Sequence, residues 1–157
     1  MNKISKHISY KEGTHSATAL RRGLDNIPNA DQLKCMKDIA EGLFEPLREW
    51  VGGPIKITSM FRGEPVNTAI GGSKNSQHMK GQALDLDDTF KYKTNAEMYH
   101  YIKDNLDFDQ LIWEFGDDDN PNWIHVSYVT HRENRKKLTI AYRDGNGRTR
   151  YKHEEKK

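Results

Sequence analysis

The sequence predicts an α+β domain, helices packed on a central antiparallel sheet, and three observations carry that expectation. Apolar residues recur at three- and four-residue spacing in one early segment and one middle segment, as on the buried face of a helix. In several later segments they recur at two-residue spacing, bounded by Gly, Asn, Asp and Pro. The chain has 157 residues, enough for one core that buries roughly 70% of the unfolded surface without disulfide staples. A single domain is therefore expected over residues 1–157, with its core at about 30–130 and a basic C-terminal β-hairpin over 131–157.

In "ADQLKCMKDIAEGLFEPLREWV", Leu33, Met36, Ile39, Ala40, Leu43, Phe44, Leu47 and Trp50 form the helical stripe, and Pro46 is expected to kink its last turn. "IKITSMF" follows as a strand, with Ile55, Ile57 and Ser59 on one face and Lys56, Thr58 and Met60 on the other. "TNAEMYHYIKDNL" reads as a second helix with Thr94 as N-cap and Met98, Tyr101 and Ile102 on one stripe. "DQLIWEF" and "WIHVSY" read as strands separated by the turn-forming "GDDDNPN". "KLTIAYRD" and "RTRYKHE" form a hairpin around Gly145-Asn146-Gly147. The first thirty residues, punctuated by Gly, Pro and Asn, are expected to wrap the surface with one short helix near Ala17 to Leu24.

Composition excludes several classes. The single cysteine, Cys35, rules out an internal disulfide and reads as a core filler. No apolar run approaches the ~20 residues that span a bilayer, and no secretion signal is visible at the N-terminus. Net charge is only +2, with basic residues concentrated in "HRENRKK" and "RTRYKHEEKK". Aromatic residues near these runs do not follow an RNA-binding motif, so no specific nucleic-acid partner is expected, and the chain is expected to be a monomer.

The stretch "SQHMKGQALDLDD" holds His78, Gly81 and Asp85. Seven residues of extended chain span about 23 Å, far more than two ligands of one metal ion can, so the chain must turn back for His78 and Asp85 to share one. Gly81 offers the place, and "ALDLD" then alternates Leu84 and Leu86 against Asp85. From spacing, the stretch reads either as two ligands or as a polar turn before a strand. His125 in "WIHVSY" is the best placed third ligand of seven histidines, because a strand holds it rigidly on the face shared with Trp123 and Ser127.

"SQHMKGQALDL" resembles the Ser-x-His-x-x-Gly-x-Ala-x-Asp signature of the zinc D-Ala-D-Ala carboxypeptidase and L-alanyl-D-glutamate endopeptidase family, whose fold is shared with the hedgehog signalling domain. Ser76, His78, Gly81, Ala83 and Asp85 fill its positions. "ITSMFRGEPVNTAIGG" resembles the family's Ser-Gly-Tyr-Arg segment, with Met60 and Phe61 replacing Gly and Tyr, and "WIHVSY" resembles the segment that supplies the last ligand. The resemblance implies a hedgehog/DD-peptidase-like fold and one Zn²⁺ held by His78, Asp85 and His125. It implies hydrolysis of peptidoglycan stem peptides, by a D,D-carboxypeptidase or an endolysin-type endopeptidase. It also places Arg62 at the active site, to stabilise an oxyanion or hold a substrate carboxylate. Ser76 and Gln77 either hydrogen-bond the substrate or shape the turn. With no secretion signal visible, the resemblance favours a phage or prophage lysis enzyme that acts on the cell wall after release.

The pattern departs at one point. Many members carry the general base three residues before the last ligand, where this chain has Asn122, and a neutral amide cannot accept a proton from water. Glu114, in the preceding strand, is the expected substitute, with Asp117, Asp118 and Asp119 as rivals in a loop. Glu114 reaches the site only if the hairpin pairs it with an odd-numbered residue such as 123 or 125. Its other role would be to orient a ligand histidine. Asn122 also admits a second function, a non-catalytic zinc-containing cell-wall-binding domain of the same fold.

Overall fold

The computed structural model describes residues 2–154, so the last three residues of "RTRYKHEEKK" lie outside the described residues. The long apolar stripe forms helix α3 (Ala30–Ile39), a π turn (Ala40–Phe44) and helix α4 (Glu45–Val51). Asn29 and Gln32 close a capping box at its start. Met36, Ile39, Ala40, Leu43, Phe44 and Leu47 are all buried, as their spacing requires. The helix runs on through Pro46 to Val51. It widens just before Pro46, which separates the proline ring from the preceding carbonyls and lets the helix continue without the missing N–H.

Helix α6 (Asn95–Asn105) is capped by Thr94, with Glu97 completing a capping box. Met98 and Ile102 enter the core, while Tyr101 stacks on Trp50 with ring centroids 4.2 Å apart. Cys35 is only half-buried on α3, so it is not a core filler.

The N-terminal thirty residues do more than wrap the surface. They form strands β1 (Lys3–Ser5) and β2 (Ile8–Ser9), then helices α1 (Tyr10–Thr14) and α2 (Ala17–Arg22). Ile4 and Ile8 join the main core. Strands this short contain too few residues to display a period, which is why the sequence pattern does not reveal them.

Six strands make the main sheet: β3 (Lys56–Ser59), β4 (Ala83–Asp87), β5 (Gln110–Glu114), β6 (Trp123–Ser127), β7 (Lys137–Arg143) and β8 (Thr149–Glu154), in the order β3-β4-β6-β5-β7-β8. The sheet is mixed, not purely antiparallel, because β5 and β7 run parallel. Both edges of β6 are taken by β4 and β5, so β7 adds at the free edge of β5 and runs in the same direction. A bulge between Ile57 and Ser59 resets the alternation of β3, and Met60, expected to face outward, is buried.

Leu84, Leu86, Leu111, Ile124, Val126 and Leu138 line the face that packs against the helices. The opposite face carries a row of directly paired residues across the sheet: Ser59, Asp85, His125, Ile112, Thr139 and His153. A short helix α5 (Glu64–Ala69) and a 3₁₀ turn (Gln77–Lys80) lead into β4. Among the described residues, no helix is long and apolar enough to cross a membrane.

The 3₁₀ turn ends at Gly81, whose φ of +75° lies in the left-handed region. A Cβ there would fall on the Gln32 carbonyl oxygen, a backbone atom, and 2.9 Å from Met36 Cγ. Left-handed backbone costs a residue with a side chain about 1–2 kcal/mol before any clash. Gly81→Ala is therefore expected to lower the melting temperature by about 4 °C or more, since a domain of this size loses roughly 2–4 °C per kcal/mol. Thermal denaturation followed by circular dichroism measures it, and an unchanged midpoint would contradict this packing.

Candidate metal centre

Three elements bring the sequence-identified residues together. The turn closed by Gly81 holds His78, which is buried, and returns the chain into β4 so that Asp85 lies beside it. Pairing of β4 with β6 sets Asp85 directly opposite His125. His78 Nε2 is 3.3 Å from Asp85 Oδ1, and His125 Nδ1 is 3.0 Å from the same oxygen. One donor atom from each of the three residues lies within 4.8 Å of the others.

The donor set fits a Zn²⁺ ion. Two bonds of ~2.0–2.2 Å at a tetrahedral angle would separate their donors by about 3.4 Å, close to the 3.3 and 3.0 Å between these atoms, and two histidines with one carboxylate are a donor set that zinc takes. His78 Nδ1 lies 2.7 Å from the Met60 carbonyl oxygen, so this nitrogen carries the hydrogen and donates it. Nε2 is thereby the ring nitrogen that faces Asp85 and that would be offered to a metal ion, and the carbonyl fixes the ring as an outer partner of a ligand histidine does. The β3 bulge that buries Met60 thus helps aim His78. Burial pushes the Asp85 carboxyl up, but His78 and His125 outweigh it and hold the group well below the usual carboxylate range.

Glu114 pairs with Trp123, the odd-numbered register that puts its side chain on the face of His125. It is a diagonal neighbour of His125, at roughly 7–8 Å between Cα positions. Burial pushes the Glu114 carboxyl up to about 7; the charge of His125 and a hydrogen bond with Trp123 oppose this, and the charge of Asp85 adds to it.

Glu114 lines one cleft of about 610 Å³ together with His78, Asp85, His125, Arg62, Ser76 and Gln77. Arg62 is half-buried, with Nε donating to Asn67 Oδ1 at 3.0 Å and Nη2 to Ser76 Oγ at 3.2 Å. Its guanidinium is pulled below its ordinary value by burial, while Asp85 opposes the shift. Ser76 Oγ also accepts from the His78 backbone N–H at 3.2 Å, so it shapes the turn and faces the cleft at once. Gln77 Nε2 donates to Asp109 Oδ2 at 3.0 Å.

Asn122, Asp117 and Asp118 line a different cavity, of about 740 Å³, and none of them lines the cleft. The Asp117 carboxylate accepts the backbone N–H groups of Asp119 and Asn120, each at 2.9 Å, which ties it to its own turn. Asp119 lies away from the cleft as well.

Asp109 is a residue of the site that sequence reasoning missed. Its side chain is fully buried, and from behind the cleft wall it gathers three residues that line the cleft, Arg132, Arg135 and Gln77. Burial pushes its carboxyl up, but these hydrogen bonds prevail and hold it well below the usual range. An isolated Asp at the head of a strand carries no spacing signal that would distinguish it from a surface acid.

No curated protein matches the chain. A family model described as Peptidase M15 matches residues 6–127, a span that begins within β1–β2, covers all three motifs and ends at the last residue of β6. The chain belongs to the Peptidase M15 family.

Proposed function

We propose that this protein is a zinc-dependent metallopeptidase that hydrolyses amide bonds in peptidoglycan stem peptides, with His78, Asp85 and His125 as metal ligands and Glu114 as general base. The observation that carries the reading is the convergence of a His-Asp-His donor set and a half-buried carboxyl on one cleft, in a chain of a peptidase family. A Zn²⁺ ion held by these three residues would make water more acidic, toward neutrality, and would polarise a carbonyl. Glu114 accepts a proton from the attacking water on a carboxylate oxygen and returns it to the departing amide nitrogen. A base titrating near neutrality suits both transfers. Arg62, braced by Asn67 and Ser76, presents its guanidinium to the oxygen on which negative charge grows. A cleft of about 610 Å³ suits a short peptide segment.

Asn122 supports a second reading, a zinc-containing wall-binding domain without catalysis, because the acid that many members carry at that position is absent. Murein binding with one zinc per chain and no release of new amino groups would favour it.

Cleavage of labelled murein is expected to stop on chelation and to return with Zn²⁺; cleavage that persists without metal would sink the zinc role. Glu114→Gln is expected to lower kcat about 10²–10⁴-fold while leaving one zinc per chain by elemental analysis. Asn122→Ala, which changes a residue outside the cleft, is expected to leave kcat unchanged. Muropeptide mass spectra of the products identify the bond.

Glu114 also makes a prediction for metal-free protein. Its folded-state pKa of about 7 stands above the ordinary 4.5, so the folded chain binds this proton more tightly than the unfolded chain. That contribution is complete below about 4.5 and is lost as pH rises through about 7. Glu114→Gln should therefore gain stability relative to wild type between pH 5 and pH 8 in urea denaturation. An identical difference at both pH values would refute the raised titration of Glu114.

A further inference from the structure

Beside the metal-compatible residues, the same cleft is lined by a group of basic residues that the proposed chemistry does not use: Lys80, His131, Arg132 and Arg135. Arg132 and Arg135 come from the loop between β6 and β7, and both fasten onto Asp109. Arg132 Nη1 and Nη2 reach its two oxygens at 2.7 and 3.2 Å. Arg135 reaches them with Nη2 at 2.8 Å and Nε at 3.1 and 3.2 Å, and its backbone N–H adds a bond at 3.0 Å.

The two ends of these ion pairs differ. Asp109 has no exposed side-chain surface, whereas the side chains of Arg132 and Arg135 are 40% and 50% exposed. Arg132 Nε and Arg135 Nη1 make no hydrogen bond among the described residues. Each guanidinium is thus anchored by one edge and keeps a donor on another. Two positive charges on one buried negative charge leave an excess of one, to which exposed Lys80 adds a second; Lys80 forms no ion pair among the described residues. Arginines already held in place lose little conformational freedom on binding an anion, and their planar donors match a carboxylate.

Asp109 joins this wall to the centre. Its Oδ2 also accepts from Gln77 Nε2, and Gln77 is the residue before His78. An anion held by Arg132 and Arg135 would therefore be placed at a fixed offset from the donor triad.

We propose that this wall is a specificity site for a free carboxylate on the substrate peptide, lying away from the scissile bond and separate from the role given to Arg62. The inference rests on the peptidase reading for its substrate class, but recognition and cleavage are measured separately. The probes are two fluorescein-labelled stem-type peptides, identical except that one carries a free side-chain carboxylate and the other its carboxamide. Fluorescence anisotropy reads their binding to the full chain carrying Glu114→Gln.

The free acid is expected to bind at least tenfold more tightly than the amide. Adding Arg132→Gln should reduce that ratio to below threefold, and adding Lys80→Gln, which touches no buried partner, should reduce it by a smaller factor. The ratio is taken within one protein preparation, so a lower folded fraction from unpairing Asp109 cancels. Equal binding of the two peptides, or a ratio that neither substitution changes, overturns the proposal. Wild-type cleavage of the same peptides tests the other reading: carboxylate-dependent binding without cleavage keeps this site and discards the peptidase, whereas cleavage without carboxylate preference does the reverse.

Discussion

The pairing of Asp85 with His125 across β4 and β6 is the constraint on which the remaining geometry depends. Side chains alternate along a strand, so a slip of one residue in this ladder would turn either group into the apolar core. The register is held by that core: Leu84, Leu86, Ile124 and Val126 alternate with the polar pair and are fully buried against the helices. Apolar burial on one face of the sheet thereby fixes chemistry on the other. The same ladder continues into β5, where pairing of Glu114 with Trp123 brings the carboxyl to the polar face.

That arrangement sets charged groups against burial. Asp85, Glu114 and Arg62 all sit in a partly desolvated cleft, and each responds differently because its neighbours differ. Asp85 has two histidines within reach and stays ionised, whereas Glu114 has weaker compensation and is pushed toward the neutral form. Two carboxyls on one face with opposed titration are the arrangement expected where one group binds a cation and the other moves a proton. Asp109 solves the same problem by pairing: two arginines and an amide surround it, so its charge remains in a place that no water reaches.

The long helices, the β5–β6 hairpin and the β7–β8 hairpin were all legible in the sequence, because each repeats its period several times. The donor triad was legible too, though from motif order more than from spacing; His78 and Asp85 alone fitted an ordinary polar turn. Three features were hidden for physical reasons. The β1–β2 strands are too short to show a period, although Ile4 and Ile8 are buried. The parallel pairing of β5 and β7 depends on which edge of the sheet is free, a property of the assembled sheet and of no local segment. The bulge in β3 inverts a regular alternation, and only its neighbours reveal why Met60 must offer its carbonyl to His78.

Asn122 shows how linear spacing misleads when the chain is pleated. Three residues before His125 suggests proximity, but Asn122 precedes β6, in the bend that closes the hairpin, and lines the other cavity. Glu114 is eleven residues from His125 in sequence, yet the antiparallel register returns it to the same face. Asn122 nevertheless touches the matter indirectly, since its backbone N–H donates to the Glu114 carbonyl at 2.9 Å and helps close the hairpin. An acid introduced at 122 in this backbone would face away from the donor triad. A carboxyl at 114 faces toward it whatever residue stands at 122, because the position is set by the ladder and not by the motif.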